Sequence, residues 1–117
     1  MANKKIDTDT LYEYFKDTLS HCGLFLLGLP DEDIAWHLFE EFDTDSISFL
    51  HENTLNQLYE TGKITADAVD MALALAHKFR KLEGTALWNI PCVRTDPLWM
   101  EIFILSDSIK KSFSKSS

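Results

Sequence analysis

Apolar residues recur every three or four positions along most of this chain, the spacing that places side chains on one face of an α-helix. Two such rows are Leu11, Phe15, Leu19 and Ile34, Leu38, Phe42. No segment alternates apolar and polar residues over the length of a strand, and no internal repeat is present. The sequence therefore predicts an all-α fold, a compact bundle of about five helices, as a single domain over residues 1–117.

Capping residues indicate where the first three helices begin and end. Asp7 or Thr8 is expected to cap a helix over about residues 7–21. The apolar run 24–27 either extends that helix or forms a buried connection. Pro30, followed by three acids, favours the start of a second helix. The polar segment 43–46 (Asp-Thr-Asp-Ser) is expected to end it and to cap a third helix, which stops at Gly62.

The second half of the chain predicts two further helices. Thr65 is an N-cap signal for the fourth helix, which Gly84 ends. A connector follows over residues 85–94, and Pro97 begins the last helix, with a flexible tail over about 114–117. Residues expected to be buried in the last three helices and the connector are Ile47, Leu50, Leu58, Val69, Leu73, Ala76, Phe79, Trp88, Leu98, Trp99, Ile102, Leu105 and Ile109, together with the thiols Cys22 and Cys92.

The distribution of charge restricts the partners of this chain. Acids outnumber Lys and Arg by 19 to 11, which gives a net charge of −8. Residues 17–62 contain acids but neither Lys nor Arg. Nucleic-acid binding needs a concentrated positive field, so the composition argues against it. The first half is instead expected to attract a basic protein.

Sequence motifs for catalysis or metal binding are missing. Phosphate-cradling glycine loops and the G-x-S-x-G motif do not occur, and the zinc-protease motif that starts at His51 fails at Leu55. The prediction is a protein that is not an enzyme and needs no cofactor or metal. One alternative stays open: His37 and Glu41 share a helix face, with Glu40 adjacent, and they offer part of a metal site for a small helical metal protein or enzyme.

The N-terminus and the cysteines favour the cytoplasm. The basic start is followed by a polar segment rather than by the apolar core of a signal peptide. The longest apolar stretch, 24–29, is too short to span a bilayer. Two cysteines outside any C-x-x-C arrangement are typical of a reduced cytosolic protein. We expect a soluble cytoplasmic protein without membrane contact.

The C-terminal third resembles a known family of proteins. The stretch reads Trp88-Asn89-Ile90, then Val93-Arg94-Thr95-Asp96-Pro97-Leu98-Trp99, and runs on from Ile102 to Lys111. It is similar to the end of small bacterial immunity proteins, which neutralise toxins of contact-dependent growth inhibition and related polymorphic systems. The resemblance implies a cytoplasmic partner, the cognate toxin domain, commonly a basic nuclease. It supplies no binding residues, and the stretch 88–111 itself is expected to be structural.

The charge pattern, and not the resemblance, selects the expected binding surface. An acidic face that covers a basic site would give fast, salt-sensitive association and would exclude nucleic acid from the covered surface. Trp36, off the main apolar row, either anchors this interface or belongs to a wide buried face. A helical adaptor is a further alternative. The predicted partner-binding residues are Asp31, Glu32, Asp33, Trp36, Glu40, Glu41, Asp43 and Asp45.

Overall fold

A computed structural model describes residues 7–115, with side chains from 7 to 113. Six helices make up this part of the chain, and five of them have at least seven residues. They are α1 (Thr8–Ser20), α2 (31–49), α3 (Glu52–Glu60), α4 (Ala66–Leu82), α5 (Ile90–Thr95) and α6 (Pro97–Lys115), with a 3-10 turn, Leu24–Gly28, before α2. The described residues contain no strand, so the all-α prediction is confirmed.

Helix α2 is continuous where the sequence predicted a break. Its α-helical ends, Asp31–Ile34 and Asp43–Phe49, are joined by a π-helical segment, Ala35–Phe42. The prediction that residues 43–46 end the helix is wrong because Arg80 of α4 engages their polar groups. Its Nη2 donates to the Asp43 carbonyl and to Ser46 Oγ, both at 2.7 Å. The helix instead ends before Leu50, and the ring of His51 caps α3 by accepting from the Asn53 amide.

The π-helical segment sets which side chains of α2 share a face. An α-helical turn holds 3.6 residues, so residues four apart along an α-helix drift progressively around its axis. A π-helical turn is wider and rotates the chain less per residue, which offsets part of this drift. One row of α2 is therefore buried along its length: Ile34, Leu38, Phe42 and Ser46. The neighbouring row carries Asp33, His37, Glu41 and Asp45, along the side of α2 where His37 meets α1.

The core forms between α1, α2, α4 and α6. Trp99 is fully buried, and its indole Nε1 donates to the Leu87 carbonyl at 2.8 Å. Trp88 is partly buried against the rings of Phe39 and Phe79. The largest side chains in the core are Phe15, Phe42, Phe79, Trp99 and Phe103.

Some residues predicted to be core lie elsewhere. Leu98 is exposed because the adjacent Trp99 occupies the inward position of α6. Ile47 is exposed because the preceding residue of α2, Ser46, faces the protein core. In α4 the fully buried row starts at Ala68 and Ala72, which leaves Val69, Leu73 and Ala76 only partly buried. Leu105 is likewise partly buried, and so is Cys92, whereas Cys22 is buried as expected.

The predicted connector contains helix α5. The Asn89 side chain caps it by accepting from the Cys92 amide at 2.9 Å, and Pro91 lies in its first turn. The predicted caps of the longer helices hold in part: the Thr65 side chain caps α4, whereas Asp7 precedes α1 without a side-chain bond. Helix α6 continues to Lys115 through the predicted tail, and residues 116–117 lie outside the described part.

The connection between α1 and α2 is held by α6. Ser106 Oγ donates to the Cys22 carbonyl at 2.8 Å, and the Leu24 amide donates to Asp107 at 3.1 Å. A Cβ at Gly23 would clash with the Asp107 carboxylate, so glycine permits this close approach. None of the described helices is long and apolar enough to cross a membrane.

Candidate functional site

Two of the predicted partner-binding acids form ion pairs with arginines of the same chain. Arg94 donates to Asp31 Oδ1 through Nε at 3.1 Å and Nη2 at 2.7 Å, and to the carbonyls of Leu27 and Leu29. Arg80 Nη1 donates to Asp43 Oδ1 at 2.7 Å. Asp31 and Asp43 therefore anchor α2 to α5 and α4.

The other predicted acids form a surface without internal cations. Glu32, Asp33 and Glu40 are exposed, and Glu41 and Asp45 are half-buried. None of these five carboxylates pairs with a Lys or Arg among the described residues. We call this surface the acidic face, made of Glu32, Asp33, Trp36, Glu40, Glu41 and Asp45.

Trp36 belongs to this surface. It is 46% exposed, so the alternative of a wide buried face that includes it does not hold. Its ring meets those of His21 and His37 edge-on, with centroid distances of 5.5 and 4.8 Å. An exposed indole supported on one side by two other rings is a rigid apolar group, and Glu32, Asp33 and Glu40 lie three or four residues from it on the same helix.

The structure adds two residues to the region that the sequence did not single out, Asp17 of α1 and His21, the C-cap residue of α1. Nδ1 of His21 lies 2.9 Å from Nδ1 of His37, and its Nε2 lies 3.7 Å from Asp17 Oδ2. Phe25, from the 3-10 turn, covers the other side of His37 at a centroid distance of 5.5 Å. The spacing of Asp17 and His21, four residues apart on one helix, was the available signal in the sequence.

Ligating atoms converge at one point of this region. Asp17, His21 and Asp45 each offer one ligand atom, and the three atoms lie within 4.8 Å of one another. We call these three residues the histidine–carboxylate cluster. The sequence alternative of His37, Glu40 and Glu41 does not form such a group in the described part of the chain.

The pKa values of His37 and Asp45 reflect burial and the charges around them. Burial, and then the neighbouring His21, lower the pKa of His37 below its ordinary value, while Asp33 and Glu41 oppose the shift. Burial, and then the like charge of Glu41, raise the pKa of Asp45. Carboxylates in this part of α2 therefore repel one another, and at Asp45 the nearby His21 opposes the shift without cancelling it.

Comparison of the chain with models of known protein families, with curated proteins and with solved structures finds no match.

Proposed function

We propose that this protein is an immunity protein that binds and neutralises a cognate toxin domain, a basic nuclease, by covering its basic surface. The observation that carries the proposal is the acidic face, in which five carboxylates without Lys or Arg partners among the described residues lie on the same helix as the exposed Trp36. This assignment rests on the resemblance in residues 88–111 and on the chemistry of the face.

The acidic face has the properties of a surface that selects basic proteins. Its unpaired carboxylates produce a negative potential that accelerates encounter with a positive partner and repels phosphate backbones. Lys or Arg from the partner would relieve the repulsion between Glu41 and Asp45. Trp36 supplies an aromatic anchor of the type that dominates the energy of protein interfaces.

The stretch that resembles immunity proteins supports this face from behind. Arg94 of α5 donates to Asp31 at the start of α2 and to the Leu27 and Leu29 carbonyls just before it. Trp99 of α6 meets Phe39 of α2 at a centroid distance of 6.2 Å. A surface held in place before the partner arrives loses less conformational entropy on binding.

The test uses toxin domains encoded beside the gene of this chain. Each is expressed with and without the protein, and cell growth and the Kd of the complex are measured at about 0.1 M and about 1 M salt. We expect the protein to restore growth and to bind more weakly at the higher salt. A toxin domain that stays active, or a Kd that does not change with salt, contradicts the proposal.

A matched pair of variants locates the interface. The face variant combines Glu32→Gln, Asp33→Asn, Glu40→Gln and Glu41→Gln. The control variant neutralises four exposed acids elsewhere: Glu52→Gln, Glu60→Gln, Asp67→Asn and Asp70→Asn. We expect the face variant to weaken binding at least ~100-fold, or about 2.7 kcal/mol, and the control to remain close to wild type. Equal losses in both variants would mean that net charge alone is recognised.

A further inference from the structure

The histidine–carboxylate cluster joins two helices that are far apart in sequence. Asp17 and His21 come from the end of α1, and Asp45 comes from the last third of α2. His21 is only 8% exposed, yet its Nε2 has no partner within hydrogen-bond range in the described structure, and the Asp17 carboxylate lies 3.7 Å away. The ring is nearly buried, whereas its Nε2 stays within reach of solvent and faces carboxylates across a gap, because every buried side-chain nitrogen or oxygen among the described residues has a partner.

The size of this gap fits a bound cation. Zn²⁺ bonds nitrogen and oxygen ligands at about 2.1 Å, so two ligands in tetrahedral geometry lie about 3.4 Å apart. The separation of His21 and Asp17 is 3.7 Å, and all three ligand atoms lie within 4.8 Å. Binding an ion therefore requires the exposed Asp17 and the partly exposed Asp45 side chains to move somewhat closer to His21.

His37 orients the imidazole of His21 for this role. When Nδ1 of His21 carries the proton and donates to Nδ1 of His37, 2.9 Å away, Nε2 keeps its lone pair toward the carboxylates. Metal-binding histidines commonly have their second ring nitrogen held by an outer partner in this way. His37 is in turn fixed by the rings of Phe25 and Trp36.

We infer that Nε2 of His21 and the carboxylates of Asp17 and Asp45 bind a divalent transition-metal ion of the Zn²⁺ type. One imidazole with two carboxylates suits such an ion better than Mg²⁺ or Ca²⁺, which prefer oxygen ligands alone. Three protein ligands leave a further coordination position for water or a side chain of a partner. The site goes beyond the proposed function, because an acidic face attracts a basic protein without a metal.

The test is calorimetric titration of the full chain, free of affinity tags and treated with chelator, with Zn²⁺ and separately with Mg²⁺. We expect one Zn²⁺ per chain and no Mg²⁺ binding under the same conditions. His21→Gln and Asp45→Asn should each lower the affinity for Zn²⁺ at least ~10-fold. The matched controls His77→Gln and Asp70→Asn change exposed residues of α4 and should bind as the wild type does.

Two further variants keep the inference testable if His21→Gln does not fold. Asp17 is exposed, so Asp17→Asn removes a ligand without disturbing the core, and it should also weaken Zn²⁺ binding at least ~10-fold. His37→Phe keeps a ring at that position but removes the outer partner, and it should weaken binding by about 10–100-fold. Zn²⁺ binding that is absent, or that survives Asp17→Asn and Asp45→Asn, overturns the inference.

A spectroscopic readout separates this inference from the proposed function. Co²⁺ in place of Zn²⁺ should give visible absorption bands of a four-coordinate site in the wild type and lose them in Asp45→Asn. The face variant keeps Asp17, His21 and Asp45, so it should retain these bands while losing its protein partner. Absence of the bands in the wild type would overturn the metal site and leave the partner-binding result unaffected.

Discussion

Nδ1 of His21 lies 2.9 Å from Nδ1 of His37, which links the end of α1 to the π-helical segment of α2. Two ring nitrogens at this distance share a single proton, so the contact requires at least one neutral ring. Burial, and then His21, lower the pKa of His37, which favours the neutral form of its ring. The link between the two helices therefore depends on pH.

The first prediction concerns stability in mild acid. Because the pKa of His37 is lower in the folded state than its ordinary value of 6.5, the unfolded chain binds more protons below that pH. The contribution of His37 to stability is fully present above about pH 6.5 and is lost as the pH falls toward its folded pKa. Denaturant unfolding of chelator-treated protein between about pH 8 and about pH 5 should show this loss.

Variants test whether His37 is the group responsible for this pH dependence of stability. The charged groups that face His37 are His21 from α1 and Asp33 and Glu41 from α2, and the two acids oppose the shift. His37→Gln should reduce the dependence of unfolding free energy on pH in this window. His77→Gln, at an exposed position of α4, should leave it unchanged. An unaltered pH dependence in His37→Gln would show that the contact does not titrate as argued.

The second prediction concerns Arg80, which keeps α2 helical across residues 43–46. Arg80→Ala removes donors from Asp43 Oδ1, the Asp43 carbonyl and Ser46 Oγ. Hydrogen bonds of charged groups contribute about 1.5–3 kcal/mol, and the 32% exposure of the Arg80 side chain reduces this, so we expect a loss of about 1–2 kcal/mol in unfolding free energy. Chemical denaturation measures it.

The control for Arg80 is a neighbouring cation on the same helix. Lys78 pairs with Glu101 at 3.3 Å, but both side chains are largely exposed. Lys78→Ala should change the unfolding free energy by less than about 0.5 kcal/mol. Similar losses in the two variants would contradict the role of Arg80 in keeping α2 helical across residues 43–46.

Arg80 also illustrates which parts of this fold local sequence signals predict and which they do not. Helices α1 and α4 are predictable because their apolar spacing and the Thr65 cap are local signals. The continuity of α2 is not, because Asp and Ser at 43–46 favour caps locally and are overridden by Arg80, 34 residues beyond Ser46 in the chain. Local propensity decides a helix end only where tertiary contacts do not compete.

The candidate site is likewise predictable from the sequence only in part. A count of charges predicts an acidic first half, but it treats Asp31 and Asp43 like Glu32 and Asp33, although the first two are held by arginines. The pairing of His21 with His37 needs α1 and α2 to be placed side by side, and periodicity does not supply that placement. Composition therefore predicts the sign of the surface charge, and the fold determines which acids lack an arginine partner and are free to bind another protein.

The third prediction separates the two thiols. Cys22 is fully buried, and burial raises the pKa of its thiol to about 12, so it is neither accessible nor ionised at neutral pH. Cys92 is only half-buried. Ellman's reagent should therefore modify one thiol in the native protein and both in denaturant. Cys92→Ser should remove the native reaction, and rapid native modification of both thiols would contradict the buried position of Cys22.

We propose that the acidic face, with Trp36 as its anchor, binds the toxin domain. The most direct test is titration of the toxin domain's activity with the wild type, Trp36→Ala and Tyr59→Ala. The two aromatic side chains are almost equally exposed, at 46% and 49%, but Tyr59 lies on α3 outside the acidic face. We predict that Trp36→Ala weakens inhibition by about 2 kcal/mol or more and that Tyr59→Ala inhibits like the wild type. Full inhibition by Trp36→Ala would contradict the account.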